Sequence, residues 1–324
     1  MNITRRGIIG TLGGTALPGL AVAQASFPSR PVRLVVPFPP AGGADILARL
    51  VVGRVAQALG QPIVVDNRPG AGGNIGAGEV ARAAPDGYTL LYGHNGTHGI
   101  NHAIYRNPGF DPIRDFVPVA RLSSIPLMLV VNSSQPATNL AEWIAFVRTH
   151  PGEVSFASAG NGVSSHLAGV MFRNATGTEM THVPYRGAAP ALTALLAGQV
   201  QMFIDLVVTV YPQVQAGRLK AFGVTTSTRM PSAPEVPTLA EAGLPGFELQ
   251  AWDGIFAPLG TPAERVRTLN AAFNAALEAT DVRDTLIQRG AVPQSGSAAD
   301  FAAHVARELP FWVALAREAG AGAD

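Results

Sequence analysis

Along the chain, short apolar runs alternate with stretches whose apolar residues recur at helical spacing. Val32–Val36 predicts a buried strand, and Ile46, Leu47, Leu50, Val51 and Val55 then mark one face of a helix. Ile63–Val65 and Leu90–Tyr92 predict two more strands, with a Gly-rich turn and a helix near Ala77–Ala83 between them. Further on, strands are expected at Leu127–Val131, Val154–Ser158, Gln201–Asp205 and Ala221–Val224. Helices are expected from about Ser164 to Asn174 and at Ala188–Ala197 and Val208–Gln215. Alternation of this kind predicts right-handed βαβ units and mostly parallel sheets covered on both faces.

Some helix starts carry explicit signals. Thr261-Pro262-Ala263-Glu264 supplies a cap, a first-turn proline and a capping-box acid before the stripe Val266, Leu269, Phe273 and Leu277. Asn139 and Glu142 form a similar box before Leu140, Trp143, Ile144 and Val147. Both helices read as scaffold.

The N-terminus departs from this pattern. Arg5 and Arg6 precede a mildly apolar stretch that ends in Ala21-Val22-Ala23 and Ala23-Gln24-Ala25, which are small-x-small cleavage patterns. Residues 1–25 therefore read as an export signal of the twin-arginine kind, with an ordinary secretory signal as the alternative. Removing them takes away two arginines and no acid, leaving 21 basic against 22 acidic residues. No later apolar run approaches the roughly 20 residues that span a bilayer. An exported, soluble chain is expected, and export favours binding proteins and hydrolases.

Composition narrows the chemistry. The 324 residues suggest about two domains, and 47% hydrophobic with 14% charged residues excludes a disordered chain. Near-neutral charge argues against a nucleic-acid partner. The absence of cysteine removes disulfides, zinc–thiolate sites, iron–sulfur clusters and cysteine nucleophiles.

Two strand-to-helix turns carry the functional reading. In VRLVVPFPPAGGADILARL a strand ends at Val36, prolines stiffen the exit, and a helix starts near Ala44-Asp45, with free amides from Ala41 onward and Asp45 spaced to pair with Arg49. In VSFASAGNGVSSHLAGVMF a strand ends near Ser158, and Ser164 and Ser165 stand where a helix begins, with His166 in its first turn. A helix start preceded by glycines presents unpaired N–H groups and the positive end of the helix dipole. Two such starts facing one cleft would grip a carboxylate from both sides. Each turn is also what an ordinary βα loop looks like.

At these residues the chain resembles the periplasmic solute-binding proteins of tripartite tricarboxylate transporters, the Bug-type receptors. The resemblance runs through PFPPAGGADILAR, VVDNRPGAGGNIGAGEVARAAPDGYTLL, THGIN, FDPIRDFVPVA, SAGNGVSSHLAG, HVPYRGAAPALTALLAGQV and FGVTTSTRMPSAPEVPTLAEAGLPGFE, and so spans the mature chain. It implies an α/β chain with the type II periplasmic-binding-protein fold, two α/β lobes with a ligand cleft between them. It further implies a non-enzymatic receptor that captures a small organic acid and docks on membrane subunits, and a monomer is expected. Lobe 1 is expected from residues 27–126 plus 250–324 and lobe 2 from 127–249. The resemblance assigns ligand contacts to Pro39, Ala41, Gly42, Gly43 and Asp45 in the first turn, and to Ser158, Ala159, Gly160, Ser164, Ser165 and His166 in the second. Val163 departs from the family's usual Ser or Thr, and Val170 and Ala194 stand where acids are common.

Other residues compete for a role. Asp205 ends a strand and is a candidate for a polar part of the ligand, or else a helix cap before Val208. Trp252 is a candidate pocket wall or a core tryptophan. Arg186 could steer anions. His94, His98 and His102 recur every four residues, yet glycines interrupt them and no acid or cysteine joins them, so no metal is expected. The glycines of Gly70–Gly78 lack dinucleotide-loop spacing, and no cofactor is expected. Two alternatives stay open: a secreted serine hydrolase using Ser164 or Ser165 with His166 and Asp205, and a ligand-sensing adaptor for a signalling partner.

Overall fold

A computed structural model describes residues 27–322, so the N-terminal segment read as an export signal lies outside the described residues. The elements run β1 (Val32–Val36), α1 (Gly43–Leu59), β2 (Ile63–Asn67), α2 (Asn74–Ala81), β3 (Thr89–His94), α3 (Asn101–Ile104) and β4 (Phe116–Asn132). Then come α4 (Leu140–Thr149), β5 (Ser155–Ser158), α5 (Ser164–Thr176), β6 (Thr181–Pro184), α6 (Ala188–Leu196), β7 (Met202–Leu206), α7 (Val207–Gln215) and β8 (Leu219–Val224). The chain closes with β9 (Gln250–Pro258), α8 (Ala263–Glu278), α9 (Thr280–Gln288), β10 (Val292–Pro293) and α10 (Ala298–Glu318).

The strands lie in the order β2-β1-β3-β9-β4-β7-β5-β6, with β8 and β10 also pairing with β4. Each end of this curled sheet is parallel: β1 with β2 and β3, and β5 with β6 and β7. The middle corrects the expectation of mostly parallel pairing. β4 and β9 run antiparallel to each other and to every other strand they meet. Phe116–Pro126 of β4 pairs with β9, and beyond it Leu127–Val131 pairs with β7. One strand thus serves both halves of the sheet.

The sequence pattern showed only Leu127–Val131 of β4 and none of β9, for physical reasons. Pro118, Arg121, Ser123 and Pro126 interrupt the apolar run, and β4 tolerates them because its register slips between Pro118 and Ala120 and between Arg121 and Ser123. In β9, Gly254 breaks the pattern but is sterically required, because a Cβ there would collide with the ring of Phe301 and stand 2.7 Å from Ala120 O. The inner strand segments read more plainly, being largely buried on both faces. Val32, Leu34, Val35 and Val36 are fully buried, as is the whole of Leu127–Val131. Each such side chain contributes roughly 1.5–3 kcal/mol of transfer free energy.

Helix starts divide into two kinds. At α4 the Asn139 side chain accepts from Glu142 N (2.9 Å), while the Glu142 carboxylate takes Thr138 N–H (2.8 Å). At α10 Ser297 and Asp300 form a reciprocal capping box. Thr261 does not cap α8 as expected. Pro262 takes the cap position, and the Thr261 hydroxyl instead donates to Pro258 O (2.7 Å). α1 and α5 also start without a side-chain cap, and they lie at the carboxyl ends of β1 and β5.

Candidate functional site

The first turn is folded by its own acid. Ala41 takes a left-handed conformation (φ 62°), and Gly42, extended, precedes α1. Asp45, 3% exposed, accepts from Ala41 N (2.9 Å), Arg49 Nε (2.9 Å) and Asn67 Nδ2 (2.9 Å). Burial pushes the Asp45 carboxyl upward, but hydrogen bonds from Arg49, Ala41 and Asn67 outweigh it and hold the group below its ordinary range. Both oxygens are therefore committed to the loop, and the Ala41 amide, expected to be free, is spent on Asp45. The helical ladder opens with Ile46 N–H donating to Gly42 O (3.0 Å), so the Gly43 and Ala44 amides lie in the turn that has no intrahelical acceptor. Pro39 and Ala41 are exposed beside them. A Cβ added at Gly43 would stand 3.8 Å from both Leu206 Cδ1 and Val208 Cγ1, so the α1 tip abuts the β7–α7 turn of the other half of the molecule.

The Gly-rich stretch supports this turn. A Cβ at Gly76 would stand 3.1 Å from Pro37 Cβ and 2.9 Å from Arg68 O, so a glycine lets α2 approach the strand exit closely.

The second turn also braces itself. Ser165 Oγ accepts from Ala159 N (3.0 Å), Ser158 Oγ accepts from Gly160 N (3.2 Å), and His166 Nδ1 accepts from Gly162 N (3.0 Å). The His166 ring stacks on His182 at 3.9 Å, and burial holds both imidazoles down to about 4. Both rings are thus neutral near pH 7. Val163 occupies the cap position of α5 in an extended conformation and offers no side-chain acceptor, so the Ser164 and Ser165 amides lie in an uncapped first turn. Across the molecule, Asn95 Nδ2 donates to Ser164 Oγ (3.0 Å), and a Cβ at Gly162 would collide with Ile104. Asn95, which carries no motif in the sequence, is held by its own amide on Trp252 O (3.2 Å).

Asp205 is the penultimate residue of β7, next to Leu206, which with Val208 meets the α1 tip. It is 4% exposed, and its Oδ2 has no hydrogen-bond partner. Burial pushes this carboxyl up to about 7, against opposing hydrogen bonds from the Leu206 amide and the Thr209 hydroxyl. It is not the cap of α7, whose cap position is Leu206. Trp252 is not brought to the turns by its ring, which packs against Phe256, Phe301 and His304. Arg186 is exposed.

The serine hydrolase geometry is not assembled. Ser165 and His166 each bind a loop amide and not each other. Ser158 Oγ stands 2.6 Å from His182 Nε2, but it also contacts Gly160 O (2.9 Å) and the serine is fully buried. His94 accepts from Gly96 N (2.9 Å), His98 stacks on Phe256 and His102 packs edge-on against Phe110. Among the described residues no three potential metal-ligating side chains converge, and no helix is long and apolar enough to cross a membrane.

The model of the tripartite tricarboxylate transporter family receptor matches residues 47–320. Among solved structures, Rpa4515 from R. palustris, with adipate, is 40% identical, covers 91% of this chain and 99% of its own, and superposes with a TM-score of 0.87. The periplasmic binding protein BugD is 36% identical over 91% of this chain and 99% of its own, at a TM-score of 0.84. MatC from Rhodopseudomonas palustris, with bound malate, is 40% identical over 90% of this chain and 100% of its own, at 0.82.

Proposed function

Because the chain belongs to the tripartite tricarboxylate transporter receptor family, we propose that it is a periplasmic receptor for a small dicarboxylate, which it delivers to the membrane subunits of such a transporter. The observation that carries this reading is the pair of uncapped helix starts, α1 and α5, each pressed against the opposite half of the molecule. Amides of Gly43 and Ala44 on one side, and of Ser164 and Ser165 on the other, would each take one carboxylate. Main-chain donors and helix dipoles supply the positive potential without a buried cation. Malate and adipate in the two relatives make dicarboxylates the natural first panel.

In this reading residues 27–126 plus 250–324 move as one lobe and 127–249 as the other, about β4 and β9. The ligand touches both lobes only when they close and so selects the closed form. Ser158, His166 and Asp45 act by shaping the turns. Asp205, its carboxyl pushed up to about 7 and so partly protonated near neutral pH, repels a carboxylate less than an ordinary aspartate would. The mature chain acts as a monomer.

Calorimetry on the mature protein with C4 to C6 dicarboxylates tests the site. At 100-fold excess over its dissociation constant a cognate ligand stabilises the fold by about 2.7 kcal/mol. A panel that produces neither heat nor thermal shift would sink the assignment. Delivery is tested separately by uptake in cells lacking the membrane subunits.

A further inference from the structure

A cavity of about 380 Å³ lies beside the paired stretch of β4 and β9, under α10. Arg121 and Ser124 of β4, Trp252 of β9, and His304 and Glu308 of α10 line it, together with Glu248 from the segment leading into β9. None of these residues belongs to the two turns or to the Asp205 corner.

Three nitrogens in its lining are buried without a hydrogen-bond partner: Arg121 Nε, Trp252 Nε1 and His304 Nε2. Trp252 is 1% and His304 8% exposed. A buried donor left unmade costs roughly 1–3 kcal/mol, and such groups are uncommon in folded proteins. Here three share one cavity. The Arg121 guanidinium donates to a neutral hydroxyl, Ser124 Oγ, at 2.6 Å. The Glu308 and Asp253 carboxylates favour its charge but neither hydrogen-bonds to it, so its Nε stays free for a ligand carboxylate. The cavity also carries negative charge. Glu308 is fixed by the Trp312 indole N–H (2.8 Å), and Glu248 is exposed at the opening. Two acids disfavour a plain anion and suit a ligand whose far end is cationic.

We propose that this groove is a second ligand site, separate from the cleft, for a small zwitterion of the amino-acid type. Its carboxylate sits on Arg121 Nε, Trp252 Nε1 and the Nε2–H tautomer of His304, and its ammonium group faces Glu308 and Glu248. Because the walls come from the strands that cross between the lobes, an occupant would also stiffen that crossing, a consequence that rests on the lobe boundaries proposed above.

The test is calorimetry and tryptophan fluorescence on the mature protein with glycine, serine, aspartate and lysine, and with acetate and methylamine as half-ligands. At least one amino acid should bind with a dissociation constant of about 1 mM or tighter, and the half-ligands should bind at least about tenfold more weakly. Arg121→Gln and His304→Phe, the second of which keeps a ring against Trp252, should each weaken binding by about tenfold. Val163→Asp, which blocks the cleft, should leave it unchanged. The proposal is overturned if no amino acid binds, if acetate binds as well as the zwitterions, or if Val163→Asp abolishes binding that Arg121→Gln and His304→Phe retain. Should those two variants fail to fold, a crystal structure of the wild-type protein saturated with the strongest binder decides. Density for the amino acid on Arg121 and Trp252 supports the site, and water alone in the groove overturns it.

Discussion

α4 and α10 close their first turns with their own side chains, whereas α1 and α5 leave theirs open. Asn139 with Glu142, and Ser297 with Asp300, satisfy amides that face solvent at the periphery. At α1 and α5 the cap positions hold Gly42 and Val163, which bring no acceptor, although both turns contain side chains that could serve. Asp45, Ser158, Ser165 and His166 accept instead from loop amides outside the helix. The protein thus spends its polar side chains on fixing the shape of these turns and leaves the helix amides for something else. A helix start is informative when the means to cap it are present nearby and are used elsewhere.

The comparison can be broken most severely at Gly162, whose left-handed φ of 71° and contact with Ile104 leave no room for a side chain when the halves meet. Gly162→Val is expected to weaken dicarboxylate binding by about a hundredfold in calorimetry, about 2.7 kcal/mol, with Ile104→Ala restoring part of it. Unaltered affinity would mean that ligand binding does not require this contact.

Asp205 sharpens it through pH. Between its unfolded value near 3.8 and about 7 the folded chain keeps a proton that the unfolded chain has lost. Its contribution to stability is therefore present at low pH and falls as pH rises through that window. Asp205→Asn should stabilise the protein by about 2 kcal/mol at pH 8 and have little effect at pH 4, as read from denaturant midpoints. His166 and His182, held at about 4, act in the opposite sense. The unfolded chain takes up protons below pH 6.5 that these rings refuse, so their contribution is lost as pH falls from 6.5 toward 4. Both imidazoles are unchanged in Asp205→Asn, so the difference between that variant and the wild type reads the carboxyl alone.

Val163→Asp supplies the missing cap. It should stabilise the unliganded protein by about 1 kcal/mol and weaken dicarboxylate binding by about tenfold, because the new carboxylate occupies the α5 amides and repels the ligand. Stabilisation with undiminished affinity would remove α5 from the site. Asn139→Ala is the matching control at α4, expected to cost about 1 kcal/mol of stability and to leave affinity unchanged.

The βα units were legible where their strands are buried on both faces and their helices carry apolar stripes, as at β1, β3, β5 and β7, whereas the half-exposed edge strand β6 gave no apolar run. The two turns were legible because prolines, glycines and serines punctuate the chain at β1–α1 and β5–α5. Roles within them were not. Asp45 and His166 have the chemistry of ligand contacts, but three-dimensional neighbours such as Ala41, Asn67, Gly162 and His182 had already claimed them. Asn95 and His182 gave no signal, since one polar residue in a loop or strand has many possible fates.

Local sequence therefore determined what depends on periodicity and backbone conformation: where most strands end and where most helices begin. Tertiary structure alone decided what depends on residues far apart in the chain. It made β4 and β9 the antiparallel pair shared by both halves, set Leu206 against Gly43 and Asn95 against Ser164, and buried Asp205. Hydrogen bonding and burial are settled by whichever groups meet in space, and a linear pattern does not record those meetings.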